Sequence, residues 1–175
     1  DMTHFGQRPE PEGKPVVVFP ARILGDKGVH EFVATARQHH DVADFLLVGR
    51  TDPDNPTDVG EACIRAWEQE GILTWQGFAE DMPEALAQSN IVCMPSYREG
   101  LPRVLIEAAA IGRAIVTTDV PGCREIVHHE ENGLLVPARD RDGTAAAVKR
   151  LIGDPAFRGQ LGARGRIIAE TEFSV

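Results

Sequence analysis

At 175 residues, with 42% hydrophobic and 26% charged side chains, the chain is long enough to bury one full-sized core and too short for two ordinary domains. A net charge of -9, from 27 acids against 18 bases, opposes nonspecific binding to nucleic acid or to an anionic membrane, and no apolar run approaches the ~18 residues needed to span a bilayer. Cys63, Cys93 and Cys123 are far apart with no Cys-x-x-Cys pair, which argues against a disulfide framework or a thiolate zinc site and fits a reducing cytoplasm.

Residues 1–15 are rich in proline, glycine and charge without apolar periodicity and read as a linker, so the folded domain is expected over 16–175. From Val16 onward short apolar runs alternate with helical patterns. Strands are expected at 16–19, 45–48, 73–76, 91–95, 115–118 and 134–136, with helices at 29–39, 59–69, 82–88, 102–111 and 124–128 between them. Two further helices, 144–152 and 156–169, follow the last strand. Strict alternation with continuously apolar strands predicts a doubly wound α/β fold, a six-stranded parallel Rossmann-like sheet with right-handed crossovers and helices on both faces. The usual strand order, 3-2-1-4-5-6, makes strands 1 and 4 neighbours where the winding reverses, and ligands of such sheets bind outside the carboxyl ends of the strands at that point.

Two loops meet there. The first, P-A-R-I-L-G-D-K-G from Pro20, has Arg22 and Lys27 as its only cations, and Gly25 and Gly28 permit close backbone approach. It matches neither a P-loop nor a G-x-G-x-x-G fingerprint, but an Arg and a Lys beside a helix start suit a diphosphate as well as they suit solvent. The second loop, S-Y-R-E-G-L-P-R-V-L-I-E, runs from Ser96 to Glu107. Pro102 fits the start of a helix, leaving the amides of Gly100, Leu101 and Arg103 open to an anion. Glu99 precedes that helix and Glu107 lies about five residues into it, a separation of roughly 8 Å along the axis at ~1.5 Å per residue. That is too far for the paired carboxyls of a retaining glycosidase, which stand about 5 to 5.5 Å apart, and fits acceptors for two sets of hydroxyls on one long ligand.

These residues resemble the retaining glycosyltransferases of the group 1 family, which have two Rossmann domains. The resemblance is carried by the E-x7-E frame from Glu99 to Glu107, by R-I-L-G-D-K-G from Arg22, by T-D-V-P-G-C-R-E-I-V from Thr118 and by N-G-L-L-V-P from Asn132. It implies the carboxy-terminal, donor-binding domain, with residues 1–5 similar to the interdomain linker and with the amino-terminal acceptor domain absent from these residues. Carried onto this sequence, it implies that Arg22 and Lys27 bind the donor diphosphate and that Glu99 contacts the sugar. Glu107 would accept from the ribose, and the backbone around Gly100, Leu101, Pro102 and Arg103 would assist. The base would lie near Gly77 and Phe78 in G-F-A-E. The implied donor is a nucleotide sugar, a UDP-sugar, handled without metal or other cofactor. The form S-Y-R-E-G-L-P-R resembles surface-polysaccharide enzymes whose acceptors are linked to polyprenyl diphosphate, which implies a cytoplasmic enzyme peripheral to the inner membrane. After the second strand the chain departs from the family pattern, with V-G-R-T-D in place of a second glycine and a proline; Arg50 there reads as a solvent-facing residue ahead of the alternative that it contacts a phosphate or the base, and 52–56 as a plain loop. The histidines His30, His39, His40, His128 and His129 show no ligand pattern and receive no role. Two other readings share the fold: a sugar-nucleotide epimerase, against which the E-x7-E frame argues, and a non-catalytic nucleotide-sugar-binding module.

Overall fold

The computed structural model describes residues 6–173; the linker-like residues 1–5 fall outside them. Strands β1 (Val16–Phe19), β2 (Asp44–Val48), β3 (Thr74–Gly77), β4 (Ile91–Met94), β5 (Ala114–Thr118) and β6 (Gly133–Val136) form one sheet in the order β3-β2-β1-β4-β5-β6. Every pairing in it is parallel. Helices α1 (Val29–His39), α2 (Glu61–Gln69), α3 (Met82–Ala87), α4 (Arg103–Ile111) and α5 (Pro121–Arg124) fill the crossovers, and α6 (Arg141–Gly153) and α7 (Pro155–Glu172) close the chain. Because the winding moves one way from β1 and the other way from β4, right-handed crossovers put α1 and α4 on opposite faces. There α1 packs on α6, while α4 packs on α7 and α3. Covered on both sides, β4 and β5 are buried at every residue, which is why they read as unbroken apolar runs.

The sequence places a helix at 124–128, but the observed α5 ends at Arg124. The physical reason is Pro121, which supplies the fixed φ of a first helical turn and so moves the start of the helix upstream. Glycine at 122 is required by what lies above it: a Cβ there would stand 2.1 Å from the Gly100 carbonyl oxygen and 2.5 Å from that of Glu99.

Residues 6–15 form no strand or helix, yet several are fastened to the amino ends of the central strands. Arg113, just before β5 and 1% exposed, donates from its guanidinium to four backbone oxygens, those of Ala87, Ser89, Arg8 and Pro9. Burial pulls the pKa of this guanidinium down, and the charge of Glu10 works the other way. The Glu10 carboxylate accepts from Asn90 Nδ2 at 2.9 Å and from Arg158 Nε at 2.8 Å. Asn90 Oδ1 in turn accepts from the Val16 amide that opens β1. No helix among the described residues is long and apolar enough to cross a membrane.

Candidate functional site

At the carboxyl ends of β1 and β4 the two loops singled out in the sequence come together. Gly28, at φ 87°, adopts the left-handed conformation open to glycine, and a Cβ there would lie 2.1 Å from the Pro95 carbonyl oxygen, so the β1 and β4 loops touch backbone to backbone. A 3-10 turn over Gly25–Lys27 leads into α1. The amides entering α1 are consumed locally: Lys27 and Val29 donate to the Leu24 oxygen and Gly28 donates to the Gly25 oxygen.

The start of α4 is different. Pro102 is its N-cap residue, and the amides of Gly100, Leu101, Arg103 and Val104 donate to no other group among the described residues. Four open donors at the positive end of a helix dipole make an anion site. Leu101, Arg103 and Val104 line a cleft of about 320 Å³ together with Arg22, Lys27, Glu99 and Pro102. A larger cavity of about 610 Å³ lies at the opposite, amino-terminal ends of β1, β2 and β3. It is lined by Asp44 and Glu68 with no lysine or arginine, and so does not suit an anionic ligand.

Within the cleft, Lys27 Nζ stands 2.6 Å from Glu99 Oε1, which also accepts from Ser96 Oγ at 2.9 Å. The sequence treats Lys27 and Glu99 as serving different parts of a ligand; the fold makes them a contact pair, with the Glu99 side chain only 9% exposed. Arg22 Nη1 is bound to Asp52 Oδ2 at 2.7 Å. That carboxylate belongs to the 52–58 loop, which is docked on the β1 loop: Gly25 donates its amide to the Thr57 oxygen, Asp26 donates its amide to Thr57 Oγ1, and Leu24 bridges Asp58. Glu107 lines neither this cleft nor its neighbour. It lies one turn further along the helix face that carries Arg103 and Val104.

Three supports of the Glu99 loop are not evident from local sequence. The hydroxyls of Thr117 and Thr118 at the end of β5 donate to the Met94 and Ser96 oxygens, which pins the end of β4. Gly122 lets α5 pass directly beneath Glu99 and Gly100. Tyr97 donates its hydroxyl to both carboxylate oxygens of Glu31 at 2.9 Å, and its ring lies 4.2 Å from the Arg139 guanidinium. Glu31 is 3% exposed, and Tyr97 is its partner among the described residues. Burial first, then the Glu31 hydrogen bond, push the Tyr97 phenol up to about 12.

Next to the cleft, sharing Pro20, Ala21 and Arg22 with it, is a second, mostly apolar cavity of about 310 Å³ bounded by Val48, Phe78, Ala79 and Met82. Phe78 is 59% exposed there, and Gly77 turns the chain at φ 76° just before it. Arg50, read from sequence as facing solvent, is exposed, and its guanidinium carbon lies 4.0 Å over the Phe78 ring. No group of three or more His, Cys, Asp or Glu suited to a metal ion occurs among the described residues.

A cation and open amides beside a buried carboxylate, with an apolar slot next to them, can hold an elongated anion that carries a flat ring at one end. The chain is 34% identical over 145 residues to N,N'-diacetylbacillosaminyl-diphospho-undecaprenol alpha-1,3-N-acetylgalactosaminyltransferase of Campylobacter jejuni, a match covering 83% of this chain and 37% of that protein. It is 28% identical over 163 residues to the capsular polysaccharide biosynthesis glycosyltransferase CapM of Staphylococcus aureus, covering 91% and 42%. The chain thus spans less than half the length of these relatives. Its fold matches that of Anabaena Alr3699/HepE, solved in complex with UDP, at a TM-score of 0.85 and 22% identity over 99% of this chain and 51% of that one. It also matches the C-terminal domain of a group 1 glycosyl transferase, LpcC, from Francisella tularensis, at a TM-score of 0.85 and 22% identity, with 100% and 98% covered. The model of the glycosyl transferases group 1 family matches residues 14–154, and the chain belongs to that family.

Proposed function

We propose that this chain holds the nucleotide-diphosphate sugar donor, a UDP-sugar, of a retaining glycosyltransferase acting in surface-polysaccharide assembly. The observation that carries the reading is that the open amides of Leu101, Arg103 and Val104 share one cleft with Lys27 and Glu99. In this reading the diphosphate lies against those amides, with Lys27 and Arg22 neutralising its charge. Lysine has three donors, so the ammonium of Lys27 can bridge Glu99 and a phosphate oxygen together. Glu99, at the mouth of the helix, meets the donor sugar. Glu107, one turn further on, takes the ribose hydroxyls, and the base enters the cavity beside Gly77 and Phe78.

As the diphosphate departs, the anomeric carbon becomes cationic while negative charge collects on the leaving oxygens. Fixed amides and cations at the diphosphate stabilise that charge without reorganising. Glu99 stabilises the opposite charge at the sugar. The acceptor would be held by an amino-terminal domain that the relatives' greater length leaves room for; the Campylobacter name supports an acceptor linked to polyprenyl diphosphate, and the Staphylococcus name supports surface-polysaccharide assembly. The 175 residues alone would then bind donor and transfer little, and the intact enzyme would work at the cytoplasmic side of the inner membrane.

The test is Glu99→Gln in the full-length enzyme. Glutamine keeps the size of the side chain and an acceptor for Ser96 and Lys27 while removing the charge. Transfer should fall on the order of 100-fold with UDP affinity nearly unchanged. Weakened UDP binding with normal turnover at saturating donor would mean that the ligand lies the other way round between the two carboxylates.

A further inference from the structure

The apolar cavity beside the cleft contains an asymmetry that the family resemblance does not explain. Its walls are Pro20, Ala21, Val48, Phe78, Ala79 and Met82, and two arginines, Arg22 and Arg50, also line it. Arg22 is engaged by Asp52 at 2.7 Å. Arg50 carries no ion pair among the described residues, and its guanidinium lies over Phe78. It borders this cavity and not the cleft where Lys27, Glu99 and the α4 amides meet, so its donors serve the ring end of a ligand and not the diphosphate. Its backbone is also fixed, because the Arg50 oxygen accepts from the Ile23 amide at 3.1 Å. Arg50 is exposed, yet both its backbone and its head are held in place.

We propose that Arg50 selects the nucleobase, favouring bases that present a carbonyl oxygen at the edge it faces, uracil or guanine, over cytosine or adenine, which present an amino group there. The chemistry is one-sided. A guanidinium has five N–H donors and no acceptor, so it can satisfy a carbonyl oxygen and can only oppose an amino group. Stacking on Phe78 restricts the fork before a ligand arrives, so that less freedom is lost on binding. In an otherwise apolar slot, an amino group facing Arg50 would lose its hydration with no acceptor in return, and that mismatch is the source of discrimination.

This inference rests on the donor-site reading, and the two can fail separately. The experiment is titration calorimetry of the 175-residue chain with UDP and CDP, which differ at one edge of a pyrimidine of the same size, repeated with GDP and ADP. Arg50→Met retains the length and the apolar stem of the side chain, and Arg50→Lys retains the charge as a second variant. Unmodified chain should prefer UDP over CDP by about 10-fold or more, the preference expected of one charge-assisted hydrogen bond. Arg50→Met should bring the two within about threefold, mainly by weakening UDP, while its melting temperature stays that of the parent. Arg50→Lys should fall between. UDP binding whose preference over CDP survives Arg50→Met overturns the assignment to Arg50 and leaves the donor site standing. Failure of all four nucleotides to bind overturns both.

Discussion

The two ends of the sheet use charged groups in opposite ways. At the amino ends of the strands, Arg113 is 1% exposed and spends its guanidinium on four backbone oxygens, while Glu10 is claimed by Asn90 and Arg158. At the carboxyl ends, among the described residues, the amides of Gly100, Leu101, Arg103 and Val104 have no partner and Arg50 stands over a ring without an ion pair. Buried polar groups satisfied within the protein hold a fold together, whereas groups organised by the fold and left with donors to give are available to a ligand. Arginine content alone would not separate the two ends; the accounting of hydrogen bonds does.

The largest effect is expected at the amino end. Arg113→Met removes the guanidinium and orphans buried oxygens, each worth about 1 to 3 kcal/mol, so the total loss should be at least about 3 kcal/mol. Urea denaturation would measure it, and the folded fraction should bind nucleotide as the parent does. A stability change below about 1 kcal/mol would mean that residues 8–11 are not anchored as described.

Tyr97 belongs to both categories, since it is held by a buried acid and itself holds the loop of Glu99. Tyr97→Phe leaves the Glu31 carboxylate without its hydrogen bond and should cost about 1.5 to 3 kcal/mol. The chain contains a single tyrosine, so its ultraviolet titration reports this phenol alone. In the folded chain it should ionise at about 12, against about 10 when unfolded. Because the folded state raises this pKa, the neutral phenol's contribution is complete below pH ~10 and is lost as pH rises toward ~12. Ionisation near 10 in the folded chain would contradict the buried pairing.

The smallest effect belongs to the exposed pair of Arg22 and Asp52, whose side chains are 50% and 29% exposed. Asp52→Asn should change stability by less than about 1 kcal/mol by thermal melting. A larger loss would make the 52–58 loop a structural clamp.

Much of this contrast can be read from the sequence, and the remainder is hidden for a physical reason. Strand order follows from apolar runs and alternation, and the Glu99 loop follows from Pro102 with a carboxylate on either side, because these are local signals. The anchoring of residues 8–11 pairs Arg113 with Arg8 and Pro9, more than 100 positions away, through backbone oxygens that carry no side-chain signature. Glu31 looks like any helix residue until Tyr97 is brought to it across 66 positions. Arg50 reads as solvent-facing and is exposed, but the ring beneath its guanidinium is hidden from local pattern because it lies on the next strand's exit. The helix near 124 is displaced because Pro121 starts it upstream, and Gly122 answers to the carbonyls of Glu99 and Gly100 above it.

The central claim, that the carboxyl-end cleft is a nucleoside-diphosphate site built from protein donors, is tested most directly by calorimetry of the 175-residue chain with UDP, GDP and ADP in the presence of a chelator. UDP should bind under those conditions, and Lys27→Ala should weaken it by about 1.5 to 3 kcal/mol, the value of one charge-assisted hydrogen bond. Binding by none of the three nucleotides, or binding that appears only when magnesium is restored, would contradict the assignment of the diphosphate to Lys27 and the amides of α4.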